Sequence, residues 1–427
     1  NGSGKGRLAR MCGICGQVRL DGSDADAALI ESMCETLRHR GPDDGAVWTH
    51  GPAGLGHRRL SIIDLSPDGR QPMANEDGSV WIAYNGEVYN FPELRTELES
   101  KGHRFQSKTD TETIIHLYEE EGAGCVERLR GMFAFVIWDM NARRLFAARD
   151  RFGQKPLYWH KSAEAFTFGS EIKAILQDPA VPREPDRTAV HHYLSLSYVP
   201  SPLTAFRGVS KLPPGHVLEL DAWGGVSVRR YWDTDFSSKL EPEQCREERL
   251  VRLLEERLLD AVRTHMVSDV PLGAFLSGGI DSSAVVAMMS RATDIPVRTF
   301  SIGFEEETFN ELNYARLVAD RFGTDHTEFT VKPDMIDVLP RLAWHYGEPY
   351  ADASALPTYY LAKMTREHVT VTLNGDGGDE NFAGYQRYLA NRLAASARRA
   401  PAFLFKALLR FFDLIGESAQ NKNRVVQ

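Results

Sequence analysis

Apolar residues recur at different spacings along this chain, and the change of spacing divides it in two. In the first half, residues 92–101 and 111–121 carry apolar side chains three and four apart and are followed by Gly102 and Gly122, which predicts two amphipathic helices closed by glycine. The unbroken apolar run 131–139 predicts a central strand, with 145–149 as its hairpin partner across Asn141-Ala142. Spacing alone shows only mixed α and β structure here. A proline-rich passage over 179–214 interrupts the pattern; it holds a predicted helix at 187–195, and the domain junction is expected there.

Beyond the junction the elements alternate. A long amphipathic helix over 242–266 places Leu250, Leu253, Leu254, Leu258, Val262 and Met266 at helical spacing. Strands are predicted at 271–275, 298–304, 326–331 and 370–373. They alternate with a helix whose first turns are 284–289 and with helices over 310–322, ended by Gly323, and 334–346; a last helix is expected over 401–415. This order predicts an α/β unit with a parallel sheet and ligands at the C-terminal ends of its strands.

Composition narrows the class of protein. A chain of 427 residues with 42% apolar content suggests two or three domains with sizeable cores. A net charge of −9 with interspersed signs and no strongly basic segment argues against nucleic-acid binding. The longest uncharged apolar run, 132–138, is too short to cross a bilayer, and no apolar signal core stands near the N-terminus. Five scattered cysteines do not form a disulfide framework, so a cytoplasmic compartment is expected. Cys12 and Cys15 are spaced as CxxC, yet no second cysteine or histidine pair stands at zinc spacing, and the motif is not read as a metal or redox site.

Two glycine-rich turns carry candidate chemistry. Leu276-Ser277-Gly278-Gly279-Ile280-Asp281-Ser282-Ser283 lies between a strand and a helix, where converging N–H groups and the helix dipole favour an anion such as phosphate. Asp281 stands near the place a phosphate-binding lysine would take, and a carboxylate beside phosphates implies a bridging Mg²⁺. The second turn, Asn374-Gly375-Asp376-Gly377-Gly378-Asp379-Glu380, interleaves glycines with carboxylates and suits a metal and a nucleotide together.

The first turn resembles the pyrophosphate loop of enzymes that split ATP between its α- and β-phosphates. From Met11 onward the chain is similar to the glutamine-hydrolysing asparagine synthetases of the B type. The motifs behind that resemblance include Met11-Cys12-Gly13-Ile14-Cys15-Gly16, Arg38-His39-Arg40-Gly41-Pro42-Asp43, Gly56-His57-Arg58-Arg59-Leu60-Ser61-Ile62-Ile63-Asp64, Tyr84-Asn85-Gly86-Glu87 and Ser107-Lys108-Thr109-Asp110.

The resemblance implies a leader or remnant over 1–11. It further implies a four-layer αββα N-terminal-nucleophile (Ntn) glutaminase domain over 12–205, a connecting segment over 206–241, and a synthetase domain over 242–427 that stops short of the family's usual end. It makes Cys12 a nucleophile activated by its own α-amine once 1–11 are removed. Asn85 and the Gly86 N–H would form an oxyanion hole. Arg59 would clamp the glutamine carboxylate, Glu87 and Asp110 the ammonium, with Leu60, Ser61, Ile62 and Ile63 completing the pocket. In the second domain, Leu276, Ser277, Gly278, Gly279, Asp281, Ser282, Ile302, Asn374 and Gly375 would bind ATP, and Asp281 and Asp379 would hold Mg²⁺.

The implied reaction takes ammonia from glutamine to an ATP-activated aspartate. Its partners are therefore small molecules, with a homodimer left open. Asp376, expected to contact the reaction intermediate, replaces a glutamate common in the family, and residues 347–357 lack the threonine and arginine that family members present to aspartate. A different carboxylate acceptor, or a glutaminase with a merely nucleotide-binding second half, are the alternatives.

Overall fold

The computed structural model describes residues 11–241, 244–304, 311–332 and 334–397. The leader 1–10 and the expected helix 401–415 lie outside them. Two six-stranded antiparallel sheets build the first half. One runs Val209–Lys211, Tyr158–Lys161, Ala165–Gly169, Gly13–Arg19, Ala53–Arg59, Asp44–His50; the other runs Val226–Arg230, His216–Leu220, Arg144–Arg149, Gly131–Asp139, Val80–Val88, Met73–Ala74.

Strand Gly131–Asp139 shows why its apolar run is unbroken. Phe133, Phe135 and Ile137 pack beneath helices Phe91–Ser100 and Asp110–Glu121, whereas Ala134, Val136 and Trp138 face the other sheet. Both faces of the strand are therefore covered, and alternation disappears. Helix Ala27–Thr36 buries Ile30, Met33 and Cys34 on the outer face of the first sheet, which completes four layers in the order α, β, β, α. Residues 206–241, expected only to connect the halves, contribute strands Val209–Lys211, His216–Leu220 and Val226–Arg230 to the two sheets. Val209–Lys211 and Val226–Arg230 form edges, where short, partly exposed strands carry little apolar pattern, and His216–Leu220 is paired on both sides.

In the second half, strands Asp325–Val331, Arg298–Phe304, Leu272–Phe275 and Val371–Leu373 form a parallel sheet in that order. Helices Ile280–Ala292 and Leu312–Phe322 pack on it through Val286, Met289, Ala315 and Ala319. Helix Glu247–His265 is shorter than the predicted 242–266, whose first two residues lie outside those described. Val262 is its one buried residue, and Val251, Leu253 and Leu254 are exposed. Among the described residues, no helix is long and apolar enough to cross a membrane.

The halves touch through a small polar and aromatic seam. Asp269, just ahead of strand Leu272–Phe275, accepts from the Asp64 N–H at 2.8 Å and donates its own N–H to the Ile62 carbonyl at 3.0 Å. Lys211 pairs with Glu348 at 2.5 Å and Arg130 with Asp260 at 2.6 Å. Lys173 Nζ sits 3.8 Å over the Trp344 ring, which also meets His39 edge-on.

Candidate active site

Cys12 precedes strand Gly13–Arg19 and opens into a pocket between the two antiparallel sheets. Its Sγ accepts from the Leu60 N–H at 3.4 Å and reaches the Leu60 carbonyl at 3.6 Å. Arg40 Nε donates to the Cys12 carbonyl at 2.8 Å, and the Arg40 guanidinium is held by Glu171 at 3.0 Å. Burial raises the Cys12 thiol above its ordinary value, opposed by the Leu60 N–H and by the charges of Lys155, Arg40 and Arg59. These surroundings alone do not make a thiolate, so a base is needed.

Arg59 is buried, and its two terminal nitrogens are fixed by the carbonyls of Ser66 (2.9 Å) and Asp64. Gly69 makes room for it, since a Cβ there would collide with Arg59 Nη2. Across the pocket stand Glu87 and Asp110. Asp110 accepts from Tyr84 Oη at 2.6 Å and from the Val88 N–H at 2.8 Å, yet burial pushes it up to about 6. Burial first, and then the Asp110 charge, push Glu87 up to about 7 against the pull of Lys155. A pocket with a cation at one end and two reluctant carboxylates at the other matches a zwitterionic amino acid. Asn85 Nδ2 is buried without a hydrogen-bond partner among the described residues, an unmet donor in the pocket wall.

The structure thus brings Cys12, Arg59, Leu60, Ile62, Ile63, Asn85, Gly86, Glu87 and Asp110 to one pocket. Ser61 is not among its lining residues; its N–H is bound to Asp43 at 3.0 Å. Lys155 and Met11 also line it, and Lys155 Nζ points at Met11 Sδ, 3.2 Å away.

In the parallel sheet, the two glycine-rich turns abut. Ser277 and Ser282 hydroxyls lie 3.0 Å apart and tie the loop to the start of helix Ile280–Ala292. Gly278 adopts φ +81°, and a Cβ there would strike Tyr314 and Ala315. Gly375 backs onto Asp281 and Ser282, and a Cβ on Gly378 would overlap the Asp281 carboxylate. Burial, Asp379 and Glu380 together raise Asp281 above its ordinary value. Asn374 Nδ2 donates to Asp376 at 2.8 Å, so these two side chains hold each other. Leu276 is different: its side chain is 1% exposed in the synthetase core, and its carbonyl is taken by Ser301 Oγ.

Residues 11–232 match the glutamine amidotransferase domain family, and residues 253–425 match the asparagine synthase family. The chain belongs to the glutamine-hydrolysing asparagine synthetase family. Asparagine synthetase [glutamine-hydrolyzing] 1 of Bacillus subtilis is 38% identical over 97% of this chain and 65% of its own length. A relative of the same family from Methanocaldococcus jannaschii is also 38% identical, over 92% of this chain and 79% of its own length. Amidase chry2 of Gibberella zeae is 32% identical over 92% of this chain and 62% of its own length. The chain thus spans about two thirds of the length of several of these relatives.

Within this family member, two pocket features were missed from sequence. Lys155 stands in the run 149–158, where Arg149 binds the carbonyls of Lys155, Gly153 and Leu212, and Asp150 caps the same turn. Its signal was a lysine beside that cap. Tyr84, the other, orients Asp110 from within a motif read only for Asn85 to Glu87.

Proposed function

We propose that this protein hydrolyses glutamine at Cys12 and transfers the ammonia to an ATP-activated carboxylate, with aspartate as acceptor and asparagine, AMP, pyrophosphate and glutamate as products. The observation that carries this reading is the convergence of a thiol, an arginine, an unmet amide donor and two carboxylates in one pocket. Cys12 Sγ attacks the side-chain amide carbon of glutamine, and the developing oxyanion is taken by Asn85 Nδ2 and the Gly86 N–H. Ammonia leaves with a proton, and water then releases glutamate from the thioester. Joined to Met11, Cys12 has an amide rather than an amine; release of residues 1–11 supplies the base and also vacates the part of the pocket lined by Met11.

In the second site the acceptor carboxylate attacks the α-phosphorus of ATP and pyrophosphate departs. Ammonia then displaces AMP from the acyl group. Asp281 and Asp379 would hold Mg²⁺, which when bound neutralises the pyrophosphate; the clustered carboxylates that raise Asp281 are a fit for such a cation. Asn374, Gly375 and Ile302 line the nucleotide, and Asp376 faces the intermediate. A second acceptor class is kept because residues 347–357 offer no cation and a relative bears the name amidase. Glutamate and AMP formed in equal amounts with aspartate support the reading. Glutamate release without AMP, whatever the acceptor, would reduce the protein to a glutaminase.

Glutamine affinity should depend on pH near neutrality. Glu87 and Asp110 are raised in the free pocket, and a bound ammonium favours their ionised forms, so binding releases protons and weakens as pH falls from about 7 through about 6. The KM for glutamine is expected to rise about tenfold or more between pH 8 and pH 5.5. Titration calorimetry in buffers of different ionisation enthalpy checks this; equal heats would contradict it.

The seam also reaches the pocket. Asp269 holds Asp64, whose carbonyl holds Arg59. Asp269→Ala should raise the KM for glutamine about tenfold, near the lower end of the worth of one charge-assisted hydrogen bond, with ammonia-dependent synthesis unchanged. Steady-state kinetics with each nitrogen donor separate the two.

A further inference from the structure

Away from both sites, on the outer face of the glutaminase half, Glu76, His103, His116 and Glu119 each present one potential ligand atom, all within 4.8 Å of one another. They come from separate places in the chain. Glu76 lies in the turn before strand Val80–Val88, His103 follows helix Phe91–Ser100, and His116 and Glu119 share one face of helix Asp110–Glu121. His116 Nδ1 is 2.8 Å from Glu119 Oε2 and 3.7 Å from Glu76 Oε2; His103 Nδ1 is 3.8 Å from Glu119 Oε2. Four ligands around a tetrahedral zinc ion stand about 3.4 Å apart, so these separations bracket the required value.

The outward atoms of three of these residues are hydrogen-bonded elsewhere, and among the described residues His116 Nε2 has no hydrogen-bond partner. Glu119 Oε1 accepts from Asn75 Nδ2 at 2.6 Å and Glu76 Oε1 from the Arg104 N–H at 3.1 Å. His103 Nε2 meets Glu120 at 3.1 Å. His116 Nε2 faces Glu112 at 3.9 Å, and that carboxylate is itself fixed by the N–H groups of Gln106 and Ser107. The 2.8 Å contact to Glu119 places a proton on His116 Nδ1 that a bound ion would displace, and Glu120 behind His103 Nε2 is the kind of partner that orients a metal-binding histidine. The floor, His116, is 1% exposed, and the rim, Glu76, is 39% exposed, which gives an ion a way in. Two carboxylates also balance a divalent charge.

We infer that Glu76, His103, His116 and Glu119 form a structural zinc-type cation site that pins the 76–79 turn and the 103 loop to helix Asp110–Glu121. The nitrogen and oxygen donor set favours Zn²⁺, with Co²⁺ as its spectroscopic substitute, over the all-oxygen ions.

The test uses the full chain, freed of metal by chelator and titrated with Zn²⁺ alone. One equivalent is expected to bind and to raise the thermal midpoint, and Co²⁺ should give the visible absorption of a four-coordinate site. Glu76→Ala and His103→Ala change side chains at the rim and should leave the circular dichroism unchanged. Each is expected to weaken this binding at least about 100-fold and to abolish the cobalt bands. Zinc binding that is equal in the parent and both variants would place the ion elsewhere, for example on Cys12. Absence of binding at micromolar zinc would leave a hydrogen-bonded histidine–carboxylate cluster only. Either result overturns the assignment.

Discussion

Cys12→Ala is expected to lower glutamine-dependent amide formation by at least about a thousandfold while ammonium chloride still supports synthesis at the parent rate. The substitution removes one sulfur whose contacts in the pocket are the backbone groups of Leu60. Arg59 keeps its anchors in Ser66 and Asp64 and Asp110 its anchors in Tyr84 and Val88, so glutamine should still bind. The variant thus separates binding from chemistry: a normal glutamine dissociation constant with no glutamate release. A matching loss with ammonia as donor would mean that Cys12 serves the fold or the second site, and the two-site account would fail.

Asp281→Ala should give the complementary phenotype, a loss of about 100-fold or more in pyrophosphate release with glutamine hydrolysis retained. The carboxylate sits where Gly378 leaves space for it and where Asp379 and Glu380 make its charge unfavourable. Removing it relieves that repulsion, so the variant should be no less stable than its parent. Lost activity can then be attributed to the site. Thermal melts of both proteins, run beside the pyrophosphate assay, provide the check. Parent-level pyrophosphate release would remove Asp281 from the nucleotide site.

Much of this architecture could be read from the chain, for reasons visible in the structure. Strand Gly131–Asp139 is covered on both faces, so an unbroken apolar run marks it; helix Asp110–Glu121 shows apolar residues at helical spacing before a glycine, and parallel strands separated by helices repeat a regular alternation. The glycine-rich turns were legible because Gly278 needs its positive φ and Gly378 its missing Cβ.

What escaped lies in contacts between distant segments. Strand Val209–Lys211 is specified by the edge it completes and His216–Leu220 by the two strands it lies between, and their own pattern is short. Leu276 sits in the loop motif, yet its side chain serves the core. Lys155 faces Cys12 across a gap in sequence that no local spacing encodes. The same holds for Glu76, His103, His116 and Glu119, which only the packing of a turn and a loop against one helix brings together.

The most direct measurement is pyrophosphate release from ATP and Mg²⁺ by this protein with ammonium chloride, with and without aspartate. The account predicts release that requires aspartate and is matched by asparagine in equal amount. Release that ignores aspartate, or none with aspartate beside intact glutaminase activity, would contradict it.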